Sequence, residues 1–167
     1  MVAAGILGPN DRVELVEGEI VALSPERSRH ASGVDLAAEA LRSAFGAGFT
    51  IRVQHPVALA DDSEPEPDIA VVRGSARDYV DAHPATAVLI VEVADTSLDY
   101  DRTRKAAMYA AAAIPEYWIS NVVEGTLEVH REPDGRRYRT VFSLDRVSSV
   151  VPVGAPGRSL AVADLLP

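Results

Sequence analysis

The sequence predicts an α/β fold in which a mixed β-sheet is flanked by helices. Residues 87–94 (AVLIVEVA) form a nearly continuous apolar run, which is typical of a strand buried on both faces. Two longer segments carry apolar residues at helical spacing, and several short segments alternate apolar with polar residues. A chain of 167 residues is the usual size of one domain, so we expect residues 1–167 to form a single domain.

The first half of the chain begins with an alternating segment, residues 13–23 (VELVEGEIVAL), around Glu17 and Gly18. This pattern predicts an N-terminal β-hairpin with a tight turn, which Pro25 ends. Three further elements are predicted before the apolar run: a helix over 30–45, a strand over 50–60 that Pro56 interrupts, and a strand over 68–73 that begins directly after Pro67.

The second half continues with a helix predicted over 98–113. Thr96 or Ser97 can cap it, and Asp99 and Asp101 fall in its first turn, where the helix dipole favours anions. Alternation and turn residues then predict strands over 115–121, 126–131, 137–142 and 148–151, followed by a short turn near 163–166.

Composition limits the classes of function. The net charge of −9 argues against a dedicated nucleic-acid-binding surface and predicts weak, salt-sensitive binding to DNA. The chain has no cysteine, which excludes disulfides and thiolate metal sites. Its start lacks a basic segment, and no apolar run approaches the roughly 20 residues that cross a bilayer. We therefore expect a cytoplasmic protein without a membrane anchor.

Lys105 is the single lysine among sixteen basic residues, the others being arginine. A lysine retained in such an arginine-rich chain is one for which arginine does not serve, because its compact ammonium differs from a broad guanidinium. A chance surface lysine is the alternative.

Two carboxylates, those of Glu92 and Asp68, are expected to lie near Lys105 in the predicted fold. Glu92 interrupts the most apolar strand, where an ionised carboxylate is costly unless it is paired or binds a metal. Asp68 begins a strand that we expect beside it. Two converging carboxylates with water suit magnesium, which prefers hard oxygen ligands. Two alternatives remain open. Glu92 could face solvent or pair with an arginine, and Asp68 could be an ordinary turn residue at the end of a loop.

Three blocks of sequence resemble the Uma2 family, a branch of the PD-(D/E)XK superfamily whose members are assigned as bacterial endonucleases. The blocks are VELVEGEIVALSP, PEPDIAVVR and LIVEVADTSLDYDRTRKAAMYAAAAIPEYWIS. The resemblance runs from about residue 13 to 142 and implies a restriction endonuclease-like core over that range. It also implies a hydrolase that cleaves phosphodiester bonds of DNA with Mg²⁺, or Mn²⁺ in its place.

The resemblance assigns roles residue by residue. Asp68 and Glu92 match the two acids of the motif and are implied to be metal ligands. Glu19 matches an N-terminal acid of the family and is implied as a further ligand or a water-bridged group. The motif lysine normally lies two residues after the second acid, where this chain has Ala94. Lys105 matches the position to which the family moves that lysine, so all four residues are predicted to be catalytic.

Other family positions are predicted to have ordinary roles. Tyr109, Tyr117 and Trp118 are interpreted as packing around the site. His30 lies near the hairpin that carries Glu19 and matches a family position, and an ordinary surface role for this helix-start histidine is favoured over a place at the rim of the site, where it would bind phosphate or assist proton transfer. Six arginines form either a basic strip for a phosphate backbone or a solvated mixed surface: Arg102, Arg104, Arg131, Arg136, Arg137 and Arg139.

Two functions follow. The first is a magnesium-dependent endonuclease, with room for a homodimer that cuts two strands. The alternative is a nuclease-like fold with little or no catalysis, used to bind nucleic acid or protein. The sequence contains no base-reading helix from which a target sequence could be argued.

Overall fold

A computed structural model of the chain describes residues 13–22 and 27–167. The expectations that fall on residues 1–12 and 23–26, including the character of the chain start and the role of Pro25, lie outside these ranges. The predicted α/β architecture is confirmed: one six-stranded mixed sheet lies between helical layers, and a separate N-terminal hairpin packs beside it.

The main sheet has the strand order β3-β4-β5-β6-β7-β8. Only the central β5 and β6 run parallel, and every other neighbouring pair is antiparallel. The strands are β3 (Phe49–Val53), β4 (Ile69–Arg73), β5 (Leu89–Ala94), β6 (Glu116–Asn121), β7 (Thr126–Pro133) and β8 (Tyr138–Asp145). Because β5 and β6 are parallel, their connection crosses one face of the sheet, and this connection carries Lys105.

The N-terminal hairpin consists of β1 (Val13–Val16) and β2 (Glu19–Ala22). Its two turn residues both have positive φ, 49° at Glu17 and 80° at Gly18, as a tight two-residue hairpin turn requires. The expected strand over 50–60 is wrong beyond Val53. Gln54 takes a φ of 51° and turns the chain out of the extended conformation before Pro56 is reached.

Helix α1 (Ser28–Phe45) begins two residues before the predicted start and covers one face of the sheet. The predicted helix over 98–113 is instead composed of three successive parts: α2 (Leu98–Tyr100), a π-helical turn (Asp101–Lys105) and α3 (Ala106–Ala111). It ends early because Ala113 adopts a left-handed φ of 55°.

Two apolar layers hold the sheet between its helices. The first joins α1 and the C-terminal segment to one face of the sheet, and the second joins α3 and β1 to the other. The C-terminal segment contributes β9 (Ser149–Val150), which pairs with β10 (Leu160–Ala161), and a 3₁₀ turn (Val162–Leu165). None of the helices in the described ranges has the length and apolar character to span a bilayer.

Candidate active site

Asp68 and Glu92 lie side by side at one end of the sheet. The register of β4 and β5 pairs Ile69 with Val91, so the next step of the ladder places Asp68 opposite Glu92. The backbone N–H of Asp68 donates to Oε2 of Glu92 at 3.3 Å, and the N–H of Val93 donates to Oδ2 of Asp68 at 2.8 Å. The two predicted acids therefore converge.

Glu92 is buried within β5, with 3% of its surface exposed. Its Oε1 accepts hydrogen bonds from Nζ of Lys105 at 2.9 Å and from the hydroxyl of Tyr109 at 2.7 Å. Burial raises the pKa of Glu92 to about 8; the ammonium of Lys105 opposes this shift, and the negative charges of Asp68 and Asp101 add to it. The carboxylate thus lies where a further cation would be stabilised.

Lys105 ends the π-helical turn, and its side chain is 8% exposed. Besides Glu92, Oε2 of Glu14 lies 3.8 Å from its ammonium. Burial lowers the pKa of Lys105, but the surrounding carboxylates outweigh burial and raise it above its ordinary value. The π-turn carries a second buried charge, Asp101, which accepts a hydrogen bond from the hydroxyl of Ser97 at 2.6 Å. Burial raises the pKa of Asp101 to about 6.

Glu19 lies apart from these groups. Its carboxylate is 67% exposed and accepts a hydrogen bond from Arg104 at 2.6 Å. The acid that the hairpin brings to Lys105 is Glu14, whose side chain is 1% exposed. In the hairpin register, Glu14 pairs with Val21 and Glu19 with Val16. Both acids therefore share one face of the ribbon, but Glu19 lies at its turn end.

His30 contacts the site from the opposite helical layer. Its Nε2 lies 3.1 Å from Oδ2 of Asp68, and its side chain is 18% exposed. The structure therefore corrects the expected surface role: this histidine reaches from the first turn of α1 to one of the predicted metal ligands.

The donor set fits a divalent cation of the hard, oxygen-seeking kind. Three carboxylates, those of Glu92, Glu14 and Asp101, act on the ammonium of Lys105, and Asp68 lies beside Glu92. Burial raises the pKa of two of these acids, Glu92 and Asp101. A cation at this position would offset the unbalanced negative charge. Within residues 13–22 and 27–167, however, no three acidic or histidine side chains are already arranged as a metal shell. Glu92, whose two oxygens both already accept hydrogen bonds, would have to turn partly away from its protein donors to bind one.

A family model described as "Putative restriction endonuclease" matches residues 4–163 of the chain. The chain belongs to the Uma2 family. Membership supports a nuclease-like function and a hydrolase, without assigning a metal or individual catalytic residues. Among curated proteins, no match was found.

Solved structures support the fold of this Uma2 protein. A structure titled as a putative nuclease belonging to DUF820, from Anabaena variabilis, superposes with a TM-score of 0.72 at 16% identity, covering 98% of this chain and 94% of that one. The type IIG restriction endonuclease BpuSI aligns with a TM-score of 0.44 at 16% identity, covering 71% of this chain and 14% of its own. The first comparison shows that this chain shares the fold of that structure, and the second is too distant to add to it.

The six arginines considered for a basic strip in this Uma2 protein do not form an open one, because five of them are paired with acids. Arg102 binds Glu128, Arg131 binds Glu116, and Arg104 binds the turn end of the hairpin. Arg137 and Arg139 both lie within 4 Å of Asp134 in the β7–β8 turn. This turn is at the end of β7 opposite the end that lies beside the carboxylates. The interpretation as a mixed-charge surface therefore fits the geometry.

Tyr109, Tyr117 and Trp118 are fully buried, in line with the packing role predicted for them. Tyr109 does more than pack, because its hydroxyl binds Glu92. The hydroxyl of Tyr117 donates to the backbone carbonyl of Asp101 at 3.1 Å and so supports the π-turn beside Lys105.

Proposed function

We propose that this Uma2 protein is a magnesium-dependent endonuclease that hydrolyses phosphodiester bonds of DNA. The observation that carries the proposal is the buried contact between Glu92 and Lys105, with Asp68 directly beside it. A buried acid–base pair of this kind is weak evidence for stability, since desolvation offsets most of the Coulomb attraction of its ionised form. Strongly perturbed carboxylates that converge on a lysine are instead typical of a catalytic site.

Asp68 and Glu92 would hold the cation, with Glu14 and Asp101 as further acids beside Lys105. Glu19 keeps its predicted assisting role only if its carboxylate leaves Arg104. A bound Mg²⁺, or Mn²⁺ in its place, polarises the phosphate and lowers the pKa of its bound water. The ammonium of Lys105 donates a hydrogen bond to the attacking water or to a phosphate oxygen, where negative charge develops. Tyr109 keeps Glu92 oriented through its hydroxyl.

The test is nicking of supercoiled plasmid with Mg²⁺ or Mn²⁺ by the wild type, Asp68→Asn, Lys105→Ala and Lys105→Arg. The wild type should cut, and the three variants should lose roughly 10²- to 10³-fold in rate, the scale of removing one group that stabilises transition-state charge. Asp35→Asn is the matched control, because Asp35 is an exposed acid on α1. A wild type that is inert with both metals, or a Lys105→Ala variant as active as the control, contradicts the proposal.

A binding module without catalysis is the second candidate, and one observation favours it. Lys105 is surrounded by carboxylates, and the nearby Arg102 and Arg104 are both engaged with acids. Such a site holds a substrate phosphate weakly, as the net charge of −9 also predicts, which counts against catalysis there and leaves the binding of nucleic acid or protein to other surfaces of the chain. A band shift on plasmid DNA that persists in EDTA, with no nicking when metal is added, would favour this candidate.

Weak, salt-sensitive DNA binding, a homodimer and a cytoplasmic location remain predictions of this proposal. Sedimentation velocity of the full chain, with and without a short duplex, measures the oligomeric state and the binding together. A monomer that nicks one strand without linearising the plasmid would exclude the homodimer as the active form.

A further inference from the structure

We propose that His30 is a positioning residue that fixes the Asp68 carboxylate so that Oδ1 faces the cation; this rests on the proposed metal-dependent function. Oδ2 of Asp68 lies 3.1 Å from Nε2 of His30 and 2.8 Å from the N–H of Val93. An ionised carboxylate only accepts hydrogen bonds, so Nε2 of the imidazole carries the donated proton. Within the described chain, both of these contacts fall on the same oxygen.

Two donors on one oxygen restrict rotation of the carboxylate. Val93 belongs to β5 and His30 to α1, the helix that covers one face of the sheet. The Asp68 carboxylate is therefore held from the sheet and from this helix at once. Side-chain exposures of 18% for His30 and 14% for Asp68 limit competition from water. When a hydrogen bond that orients a metal-binding side chain is removed, the affinity for the metal commonly falls by about 10- to 100-fold.

The packing of α1 explains how His30 reaches so far. Gly33, one turn further along α1, lies against Val93, and a Cβ at Gly33 would come within 2.9 Å of the Val93 side chain. The absent side chain allows the first turns of the helix to approach β5 closely. The same strand residue thus supplies one donor to Asp68 and the contact surface that brings the second donor within reach.

The experiment is calorimetric titration of the folded, metal-free full chain with Mn²⁺, comparing the wild type with His30→Ala, His30→Gln, Asp68→Asn and the His30→Ala/Asp68→Asn double variant. We expect His30→Ala to weaken binding at least about tenfold. His30→Gln should recover part of this loss, because its amide N–H can donate from a similar place. In the Asp68→Asn background, His30→Ala should have no further effect, since its partner is already changed.

His83→Ala is the matched control, because His83 contacts Arg52 and Glu64 and has no contact with Asp68. Circular dichroism excludes misfolded variants, and His30→Gln keeps the test open if His30→Ala does not fold. If His30→Ala binds Mn²⁺ like His83→Ala, the positioning role is overturned and the endonuclease proposal stands. If the wild type itself binds no Mn²⁺, the metal-dependent function is wrong and this inference falls with it.

A positioning role also differs from proton transfer in the activity it predicts. Saturating Mn²⁺ should restore the nicking rate of His30→Ala to near the wild-type rate, because only occupancy of the site is impaired. A rate that stays low at saturating metal would overturn the positioning role in favour of a direct part in the chemistry.

Discussion

Two buried glutamates lie on neighbouring strands, Glu92 on β5 and Glu116 on β6. They differ in the groups around their carboxylates, and this difference distinguishes a candidate functional acid from a structural one. Glu116 is fully buried, and its carboxylate accepts hydrogen bonds from Trp118, Arg131 and the N–H of Val153. These donors come from two strands and the segment after β9, so Glu116 ties the C-terminal region to the sheet. All of its partners in the described chain are donors.

Glu92 is buried to a similar degree but lies among other acids. Lys105 and Tyr109 donate to it, while Asp68 and Asp101 add negative charge and raise its pKa. Around Glu116 the donors compensate the negative charge and stabilise the folded chain. Around Glu92 the acids leave excess negative charge, which a bound cation would neutralise. Burial alone therefore does not point to a catalytic acid, and it is burial beside like charges that supports the role proposed for Glu92.

The largest effect should come from Glu92→Gln. The amide removes the charge that holds the cation, so the plasmid-nicking rate should fall by roughly 10²- to 10³-fold. The free energy of unfolding should fall less than it does for Glu116→Gln, because Lys105 retains Glu14 and Asp101 as partners. Nicking assays and urea unfolding of the same preparations measure both quantities, and a variant that cuts like the wild type would break the comparison.

Glu116→Gln should have the opposite profile. Removing one partner of a buried charge pair commonly costs about 3–5 kcal/mol, and the lower end is expected because Arg131 is 26% exposed and can reach water. Urea unfolding should show this loss, while the nicking rate per folded molecule stays at the wild-type value. A large loss of activity without a loss of stability would place Glu116 in the site.

The pH dependence of stability should distinguish the two glutamates. In the folded, metal-free chain the pKa of Glu92 is raised to about 8, whereas an unfolded glutamate has a pKa of about 4.3. Between about pH 6.5 and 8 the folded chain therefore holds a proton that the unfolded chain has lost. The free energy of unfolding should then decrease as the pH rises, by up to about 1.4 kcal/mol per pH unit.

Urea unfolding in EDTA across this pH range measures the slope. Glu92→Gln should flatten it, and Glu116→Gln should retain the wild-type slope at a lower overall stability. This window lies above the ordinary pKa of histidine, so His130, whose pKa burial lowers, contributes little there. A slope unaffected by Glu92→Gln would mean that another group titrates.

The smallest effect should come from Tyr109→Phe, which removes one of two donors to Oε1 of Glu92. Loss of a single hydrogen bond costs about 1 kcal/mol in the free energy of unfolding, and Lys105 continues to hold the carboxylate. Tyr138→Phe is the matched control, since that buried hydroxyl donates to the carbonyl of Ile114 away from the acids. Only Tyr109→Phe should also reduce the nicking rate. Equal nicking rates for the two variants would mean that Tyr109 contributes to packing alone.

The sequence could predict much of this site because its strongest signals are local. A charged residue inside an apolar strand marked Glu92, and the single lysine marked Lys105. Asp68 precedes a strand that the fold places beside Glu92, and the register brings the two together. Glu116 was not singled out, although it is as deeply buried, because it stands at the start of its strand.

Glu14 could not be found from the pattern of the hairpin. Alternation places Val13 and Leu15 on one face of the hairpin and Glu14 with Val16 on the other, and the acid favours solvent for that second face. The structure buries Glu14 and Val16 on one face, because that face packs against a charged site that other parts of the chain supply. The π-turn and the reach of His30 likewise depend on contacts between distant segments, which neither propensity nor periodicity encodes.

The hairpin that carries Glu14 also has a consequence for the order of folding. Its two strands pair with each other locally and can form early. Its attachment to the π-turn, where Arg104 donates to the carbonyl of Val16, joins residues 88 positions apart and requires closure of a long loop. Trp118 is fully buried in the apolar layer that joins α1 and the C-terminal segment to the sheet, so it reports the packing of that layer and not the attachment of the hairpin. During refolding, tryptophan fluorescence should therefore recover before the chain becomes competent to bind a cation.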